Sequence, residues 1–301
     1  MEPELSPYLQ GVKDYYNKST RWYDWFYYDK KSLGIHYGFW ETLHDHLKDA
    51  LTNQYRVVQK LLNPLAGDLI LDAGCGVGGA SMWLAQHTEA RYIGITLSDS
   101  QIKFARRYIT ERNLADKVNV QIGNYFKTEF PNAYFDKIFA IESFCYAYPH
   151  PLNLYREMMR ILKPGGKLLI SDGIYLRKPK NETEEKMSRD YCTGFKLAAM
   201  ITPAEVMINL KDAGFQNIDC FDMTRKIKKS VEYIDNRSRL VRPLKFLKYV
   251  GLVSQTEVEN LLATLNQKKM FEDGLFGYAV FRADKQKYEQ NLEKSAQDVI
   301  I

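Results

Sequence analysis

Residues 69–85, LILDAGCGVGGASMWLA, decide the fold of this chain. The apolar residues 69–71 predict a short buried strand that ends at Asp72, and a glycine-rich turn and an amphipathic helix follow at once. Glycine lets the backbone approach a ligand closely, and the first turn of a helix offers unbonded N–H groups. The stretch therefore predicts a cradle for a nucleotide-like ligand at the carboxyl end of a strand. Asp72 would disfavour a pyrophosphate there and favour a cationic ligand.

The composition of the 301 residues, with 45% hydrophobic and 26% charged side chains, predicts one globular domain or one domain with a cap. The net charge of +5 is too small to indicate a nucleic-acid partner by itself. The four cysteines lack the spacing of a metal site and are interpreted as reduced thiols. Because neither a signal peptide nor a run of about 18 apolar residues occurs, we expect a cytoplasmic protein.

Strand-like and helix-like segments alternate after residue 63. Predicted strands cover residues 69–72, 91–96, 118–122, 135–141, 167–171, 217–223 and 277–282. Predicted helices cover residues 79–87, 100–112, 151–162 and 203–213, and residues 8–62 are predicted to be helical with breaks near Gly34 and Gly38. Repeated βα units predict an α/β fold with a mostly parallel sheet and helices on both faces.

The glycine turn alone is ambiguous. Gly74, Gly76 and Gly79 also fit the G-x-G-x-x-G fingerprint of dinucleotide-binding proteins. A nicotinamide enzyme would carry an acidic residue at the end of the second strand for the ribose. Thr96 stands at that position, and Asp99 follows a few residues late. The second strand therefore argues against a redox dinucleotide.

Three motifs carry a resemblance to a known family. LDAGCGVGGASMWLA (71–85) resembles motif I of class I S-adenosylmethionine-dependent methyltransferases, and LKPGGKLLISD (162–172) resembles their turn before the fifth strand. GITLSDSQIKFAR (94–106) resembles the branch that contains sterol, tocopherol and prenyl-diphosphate C-methyltransferases and cyclopropane fatty-acid synthases. HYGFW (36–40) is similar to an aromatic motif that these enzymes place over the cofactor, although a plain turn would also explain its glycines.

The resemblance implies a Rossmann-like fold with a seven-stranded, mostly parallel sheet, and it divides the chain into five segments. Residues 1–62 would form an N-terminal helical lid and 63–225 the cofactor-binding core. A helical insertion that caps the substrate would follow at 226–272, then the last core strand at 273–283 and a polar tail at 284–301. The implied cofactor is S-adenosylmethionine, with S-adenosylhomocysteine as its product.

The resemblance also implies where that cofactor binds. The glycine turn would surround its methionine part, with Asp72 near the amino group, and Thr96 and Leu97 would lie at the ribose. Asn124 stands where relatives commonly have Asp; it would read the adenine edge or, alternatively, serve as a helix N-cap. The implied cofactor residues are Tyr37, Asp72, Gly74, Cys75, Gly76, Gly78, Thr96, Leu97, Gln101, Asn124, Tyr125 and Glu142.

Glu142 is the candidate catalytic base. It follows the fourth predicted strand, in a loop where an acidic or aromatic residue of C-methylating relatives serves the acceptor. Methylation of an alkene makes a carbocation, which aromatic faces stabilise until a carboxylate removes a proton. A hydrogen bond to the cofactor or backbone is the alternative role for Glu142. The other catalytic candidates are Tyr16 and Tyr146, and an aromatic wall would consist of Tyr16, Tyr23, Tyr37, Phe39, Tyr146 and Tyr148, each of which would otherwise be core.

The basic run 225–229, RKIKK, and the later Arg237, Arg239, Arg242, Lys245 and Lys248 have three interpretations. They form a solvated helix face, contact anionic lipid as a peripheral membrane surface, or clamp a phosphate. The histidines lack metal-site spacing, so we expect no protein-bound metal; Mg²⁺ would enter only with a diphosphate-bearing acceptor. No pattern in the sequence decides the oligomeric state.

The sequence thus predicts methyl transfer from S-adenosylmethionine to a small lipophilic acceptor, with C-methylation of an isoprenoid or sterol-like alkene preferred. An N- or O-methyltransferase of a small metabolite is the alternative, and a non-catalytic binding module is another. A cyclopropane synthase is disfavoured because residues 142–146, ESFCY, lack its E-H-[FV]-G phrase. A nucleic-acid methyltransferase is disfavoured because no N-P-P-Y follows the fourth strand.

Overall fold

A seven-stranded sheet organises the computed structural model, which describes residues 5–26, 31–42, 45–147, 151–240 and 255–287. The strand order is β3-β2-β1-β4-β5-β7-β6. The strands are β1 (Leu69–Ala73), β2 (Arg91–Thr96), β3 (Val118–Ile122), β4 (Phe135–Ile141), β5 (Leu162–Tyr175), β6 (Gln216–Asp222) and β7 (Phe276–Asp284).

Strands β1 to β5 run parallel, and β7 pairs antiparallel with β5 and β6. The chain leaves β1 towards β3 and returns to β4 on the other side of β1, so a crevice opens where the carboxyl ends of β1 and β4 meet. The predicted fold class is confirmed. The helices are α1 (Pro7–Phe26), α2 (Leu47–Leu62), α3 (Gly79–His87), α4 (Asp99–Glu111), α5 (Pro151–Ile161), α6 (Glu182–Phe195), α7 (Pro203–Asp212), α8 (Thr224–Leu240) and α9 (Gln255–Glu272).

Each face of the sheet buries its own apolar core. On β1, Ile70 belongs to a core that includes residues of α2, α3 and α4, whereas the next residue, Leu71, belongs to a core with residues of α5 and α7. The strand period of two explains this alternation. Both side chains are fully buried, and each such burial stabilises the fold by about 1.5–3 kcal/mol.

Several predicted elements have the predicted bounds, among them β2, β3, β4 and α3. The fifth strand is longer than predicted: Phe135 pairs with Leu162 and Lys137 with Lys167, so the turn expected before the fifth strand is a bulge inside β5. Gly165 makes this bulge possible with its left-handed φ of 77°. Helix α6 was not predicted, because its apolar positions are few and its strongest signal is an N-cap, in which the Asn181 side chain accepts from the Glu184 N–H.

The predicted helix over 8–62 is interrupted by more than glycine breaks, since residues 31–42 form an extended lid segment between α1 and α2. The lid segment crosses the first turn of α3 so closely that a Cβ at Gly79 would collide with the Ser32 carbonyl oxygen. Phe39, which is fully buried, donates its N–H to the Ala50 carbonyl, and Gly38 donates its N–H to Ser230 Oγ on α8. The lid segment is therefore held by α2, α3 and α8 together.

Gly79→Ala should destabilise the fold by about 1–3 kcal/mol, because the new methyl group meets backbone atoms of the lid segment that cannot move independently. Gly11→Ala is the matched control: nothing lies within 4 Å of its Cβ position on α1, and it should stabilise the helix by about 0.5–1 kcal/mol. Urea unfolding measures both changes. Equal stabilities of the two variants would show that the lid segment does not rest on α3.

Candidate active site

A cavity of about 330 Å³ lies at the carboxyl ends of β1, β2 and β4 and extends under the lid segment. This volume falls within the range of small-molecule sites, and the position is the topological switch point of the sheet. The cavity brings together nearly all of the predicted site residues. Those that line it are Tyr16, Tyr37, Asp72, Gly74, Cys75, Gly76, Thr96, Leu97, Gln101, Tyr125, Glu142 and Tyr146.

The glycines of the turn after β1 serve different purposes. Gly74 has a φ of 91°, and a Cβ there would collide with Ser143, so this position needs glycine for close packing. Gly76 also has a left-handed φ, but its nearest neighbour would be Gln101 Nε2 at 3.9 Å, so this glycine faces open cavity. Gly78 is the N-cap of α3 and is not among the residues that line the cavity.

Asp72 ends β1 as a buried carboxyl group with 2% exposure. Its Oδ2 accepts a 2.7 Å hydrogen bond from Ser81 Oγ on α3. Burial raises the pKa of Asp72 to about 7, because desolvation disfavours the charged form more than the serine stabilises it. A cationic ligand in the cavity would provide the missing compensation.

The end of β2 is tied to α1. Thr96 Oγ1 donates to Gln101 Oε1 at 2.6 Å, and Ser98 Oγ donates to Asn17 Oδ1 at 2.7 Å. Lys13 pairs with Asp99 at 3.0 Å one turn earlier on α1. Helix α1 thus closes the cavity over β2. Sequence reasoning missed Asn17, because no local pattern marks a contact between positions 81 residues apart.

Asn124 and Tyr125, which follow β3, face different directions. Asn124 Oδ1 accepts the Phe126 N–H at 3.0 Å, and Asn124 is not among the residues that line the cavity. This contact is a local turn between Asn124 and the N–H two residues on, and Asn124 does not cap a helix, because no helix begins between β3 and β4. Tyr125 lines the cavity, and its hydroxyl donates to the Ser143 carbonyl at 2.8 Å. Of these two residues, Tyr125 is therefore the one that contributes to the cavity lining.

Glu142 occupies a strained backbone position at the tip of β4, with a left-handed φ of 47°. Its Oε1 accepts the Tyr37 N–H of the lid segment at 2.7 Å and the Tyr278 hydroxyl at 3.0 Å. Burial raises the pKa of Glu142 to about 8, and the nearby Asp172 adds to the rise, although both donors oppose it. A carboxyl group with this pKa exchanges protons near neutral pH.

Asp172 on β5 is a third carboxyl group in the cavity. Its two oxygens accept the N–H groups of Cys145 at 2.9 Å and Gly173 at 3.0 Å, which fixes the short 3₁₀ turn Phe144–Ala147 beside Glu142. Burial raises the pKa of Asp172 to about 7. The sequence showed Asp172 only as the end of the LKPGGKLLISD motif, and its role was missed.

The predicted aromatic wall is partly present. The hydroxyls of Tyr16 and Tyr146 lie 2.8 Å apart with their rings edge to face, and Tyr37 lines the cavity beside them. Phe39 does not line the cavity, but packs on Tyr278 at 5.5 Å between ring centroids. Tyr23 and Tyr148 lie outside the side chains that the structure describes. The part of the lining that α6, α7 and the residues between them contribute is apolar, and we call it the apolar chamber: Tyr191, Phe195, Leu197, Met200, Ile201 and Val206.

The basic residues of α8 are mostly engaged. Lys226 pairs with Glu41, and Lys229 lies over the Trp40 ring at 5.1 Å. Arg237 donates to the Tyr233 hydroxyl at 2.8 Å, and Arg239 pairs with Asp235 at 2.9 Å. Arg242, Lys245 and Lys248 lie outside the described residues. These contacts favour the interpretation of the described basic residues as a solvated helix face.

Within the described ranges, no three His, Cys, Asp or Glu side chains are arranged to hold a metal ion. A helix that is apolar over a bilayer-spanning length was likewise not found in those ranges.

Comparison with known proteins points to one class. A family model for a methyltransferase domain matches residues 71–170. The sterol 24-C-methyltransferase of Eremothecium gossypii is 32% identical over 178 residues, covering 58% of this chain and 45% of that protein. The 27-O-demethylrifamycin SV methyltransferase of Amycolatopsis mediterranei is 25% identical over 253 residues, covering 83% and 89%. The chain spans about half the length of the sterol methyltransferases it matches.

Solved structures share the fold. The [4+2]-cyclase SpnF superposes with a TM-score of 0.79 at 21% identity, covering 94% of this chain and 98% of the other. Geranyl diphosphate C-methyltransferase from Streptomyces coelicolor A3(2), solved with Mg²⁺, geranyl diphosphate and S-adenosyl-L-homocysteine, superposes with a TM-score of 0.71 at 22% identity, covering 94% and 100%. Residues 71–170 are therefore similar to a methyltransferase domain, and the chain shares its fold with these solved structures. The resemblance to the class I S-adenosylmethionine-dependent branch with sterol C-methyltransferases is confirmed.

The raised pKa of Glu142 predicts a pH-dependent stability. A buried acid whose pKa is higher in the folded than in the unfolded state binds more protons when folded, so it stabilises the fold below its ordinary pKa. That stabilisation is lost as the pH rises towards the folded pKa of about 8. Urea unfolding from about pH 5 to about pH 8 should therefore show a shallower decline for Glu142→Gln than for the wild type. The exposed control Glu111→Gln should keep the wild-type slope, and equal slopes for all three proteins would contradict the assignment.

Proposed function

We propose that this chain transfers a methyl group from S-adenosylmethionine to a small lipophilic acceptor. The observation that carries the proposal is one cavity that joins the Gly74–Gly76 turn and the buried Asp72 to Glu142 and an apolar chamber. The domain, its relatives and the cavity agree on this chemistry. Residues 1–62 serve as a lid and residues 226–272 as a cap over the acceptor in this proposal.

The residues present fit a cationic nucleotide-like donor. Asp72 is a buried carboxyl group without a cationic partner among its hydrogen bonds, and Gly76 leaves room where a side chain would stand. Bound there, S-adenosylmethionine would supply an activated methyl group. The protein's part is to hold the donor, exclude water with the lid segment and align the acceptor. Tyr16 and Tyr146 contribute aromatic side chains to the same cavity that Glu142 lines.

The charges around the cavity favour an acceptor without a diphosphate. Among the described residues that line it, Lys13 is the one Lys or Arg side chain, and it pairs with Asp99. Three carboxyl groups, Asp72, Glu142 and Asp172, line the same space. Placing a polyanion there would be costly, so an uncharged acceptor fits better and no Mg²⁺ is required. Of the acceptors named for the relatives, sterols suit this site better than geranyl diphosphate.

C-methylation of an alkene is the preferred reaction because Glu142 can complete it. Addition of a methyl cation leaves a carbocation, and a base must remove a proton from a neighbouring carbon. Glu142 lines the cavity, and its pKa near 8 makes its carboxylate a stronger base than an ordinary glutamate. O-methylation is the second candidate, favoured by the rifamycin methyltransferase that matches most of both chains.

We also propose a cytoplasmic location, since the four cysteines are unpaired thiols.

Calorimetric titration with S-adenosylhomocysteine tests the cofactor site. The wild type should bind, and Gly74→Ala should weaken binding by about 10- to 100-fold, because its methyl group displaces the turn from Ser143. Gly67→Ala is the matched control, since Gly67 also has a left-handed φ, 84°, but nothing lies within 4 Å of its Cβ position. It should bind like the wild type. Binding of NAD in place of adenosylhomocysteine would overturn the proposal.

Glu142→Gln tests the base. Turnover with a sterol-like alkene should fall by about 10²- to 10⁴-fold, whereas the affinity for S-adenosylhomocysteine should change little. Glu111→Gln serves as the control with wild-type turnover. NMR of the wild-type product distinguishes a new carbon-bound methyl group from an O-methyl or N-methyl group. Near-wild-type turnover of Glu142→Gln would remove Glu142 as the base.

A further inference from the structure

Tyr278 lies directly behind Glu142 and outside the cavity. It stands on β7, its side chain is fully buried, and it is not among the residues that line the cavity. Its hydroxyl donates to Glu142 Oε1 at 3.0 Å, and the Tyr37 N–H donates to the same oxygen at 2.7 Å. Both donors thus hold one carboxyl oxygen, which leaves the second oxygen for the cavity that Glu142 lines.

The Tyr278 hydroxyl is itself held from behind by α2. Gln54 Nε2 donates to this hydroxyl at 2.6 Å and to Ser171 Oγ at 2.8 Å. Gln54 and Ser171 are fully buried, so the network is shielded from water. Because the Gln54 amide donates a hydrogen bond to the Tyr278 hydroxyl oxygen, the hydroxyl hydrogen of Tyr278 points away from Gln54.

Two acceptors compete for the single proton of the Tyr278 hydroxyl. They are Glu142 Oε1 and the Ser171 carbonyl oxygen, the latter at 3.1 Å. When Glu142 is ionised, the hydrogen bond to it is charge-assisted and is the stronger of the two. When Glu142 carries its own proton, the Ser171 carbonyl is a comparable acceptor. The tyrosine can therefore follow the charge state of Glu142 without moving.

We propose that Tyr278, supported by Gln54, is a positioning residue that orients the Glu142 carboxyl group and selectively stabilises its ionised form. Its effect on turnover rests on the proposed function, in which Glu142 is the base. Its effect on the titration of Glu142 does not.

Other groups around Glu142 set the background for this effect. Asp172 on β5 disfavours its ionisation by like charge, whereas the Tyr37 N–H and the Tyr278 hydroxyl favour it. Burial still dominates and keeps the pKa at about 8, so the loss of one donor raises the pKa further. The titratable groups that face Glu142 are Tyr16, Tyr37, Cys145, Asp172, Tyr191 and Tyr278.

Infrared titration of the ligand-free protein with ¹³C-labelled glutamate tests the inference, and Glu142→Gln identifies the Glu142 band. Tyr278→Phe should move the midpoint of Glu142 upwards by about 1 pH unit. In turnover, the rising limb of the kcat–pH profile should shift by the same amount, with KM for the acceptor within about twofold of wild type. A role in packing alone would lower kcat equally at every pH.

Two further variants make the test decisive. Tyr92→Phe is the matched control. Tyr92 is also almost fully buried, and its hydroxyl lies 2.7 Å from Thr88 Oγ1; neither residue lines the cavity. This variant should leave the Glu142 midpoint unchanged. Gln54→Met should shift that midpoint upwards by a smaller amount, and it carries the test if Tyr278→Phe does not fold. An unchanged midpoint in the folded variant overturns the inference. If the Glu142 midpoint shifts in Tyr278→Phe but the wild type transfers no methyl group, only the proposed function is overturned.

Discussion

The burial of three carboxyl groups around one cavity is the constraint on which the rest of the site depends. Asp72, Glu142 and Asp172 come from β1, β4 and β5, three neighbouring strands, so the sheet order alone brings them together. In such a position each group must take up a proton, receive hydrogen bonds or face a cation. The protein supplies a serine hydroxyl, backbone N–H groups and a tyrosine hydroxyl, and these do not cancel the cost of burial, because all three pKa values stay raised. The remaining cost is met by protonation, which the raised pKa values express, or by a cationic ligand in the cavity.

The lid segment contributes to that electrostatic balance as well as covering the cavity. The Tyr37 N–H that bonds Glu142 belongs to the same residues 31–42 that rest on Gly79 of α3. Displacing the lid segment would therefore open the cavity and also remove a donor from Glu142. Closure and the proton affinity of Glu142 are physically linked, since one stretch of backbone determines both.

The sequence was sufficient where the determinant is local. The apolar runs of β2, β3 and β4 and the glycine turn after β1 identified the fold, and nearly all of the site residues that the family resemblance implied line the cavity. The sequence was insufficient to predict a residue's role where that role arises from contacts between positions that are distant along the chain. Tyr278 meets Glu142 across 136 residues, and Asn17 meets Ser98 across 81. A tyrosine in an apolar strand and an asparagine in an aromatic helix carry no sign of such partners, so only the packed structure reveals them.

The fold by itself does not select a reaction. The same arrangement of helices and strands is shared with a [4+2]-cyclase and with a C-methyltransferase, at TM-scores of 0.79 and 0.71. The distinction must lie in the side chains at the switch point. In this chain they combine a buried carboxyl group beside an open glycine turn with a second carboxyl group of raised pKa that faces an apolar chamber. In the proposed function, a cation-bearing donor would satisfy the first group, and an acceptor that must lose a proton would make use of the second. A reaction without either requirement would leave the unfavourable burial of both groups without a chemical reason.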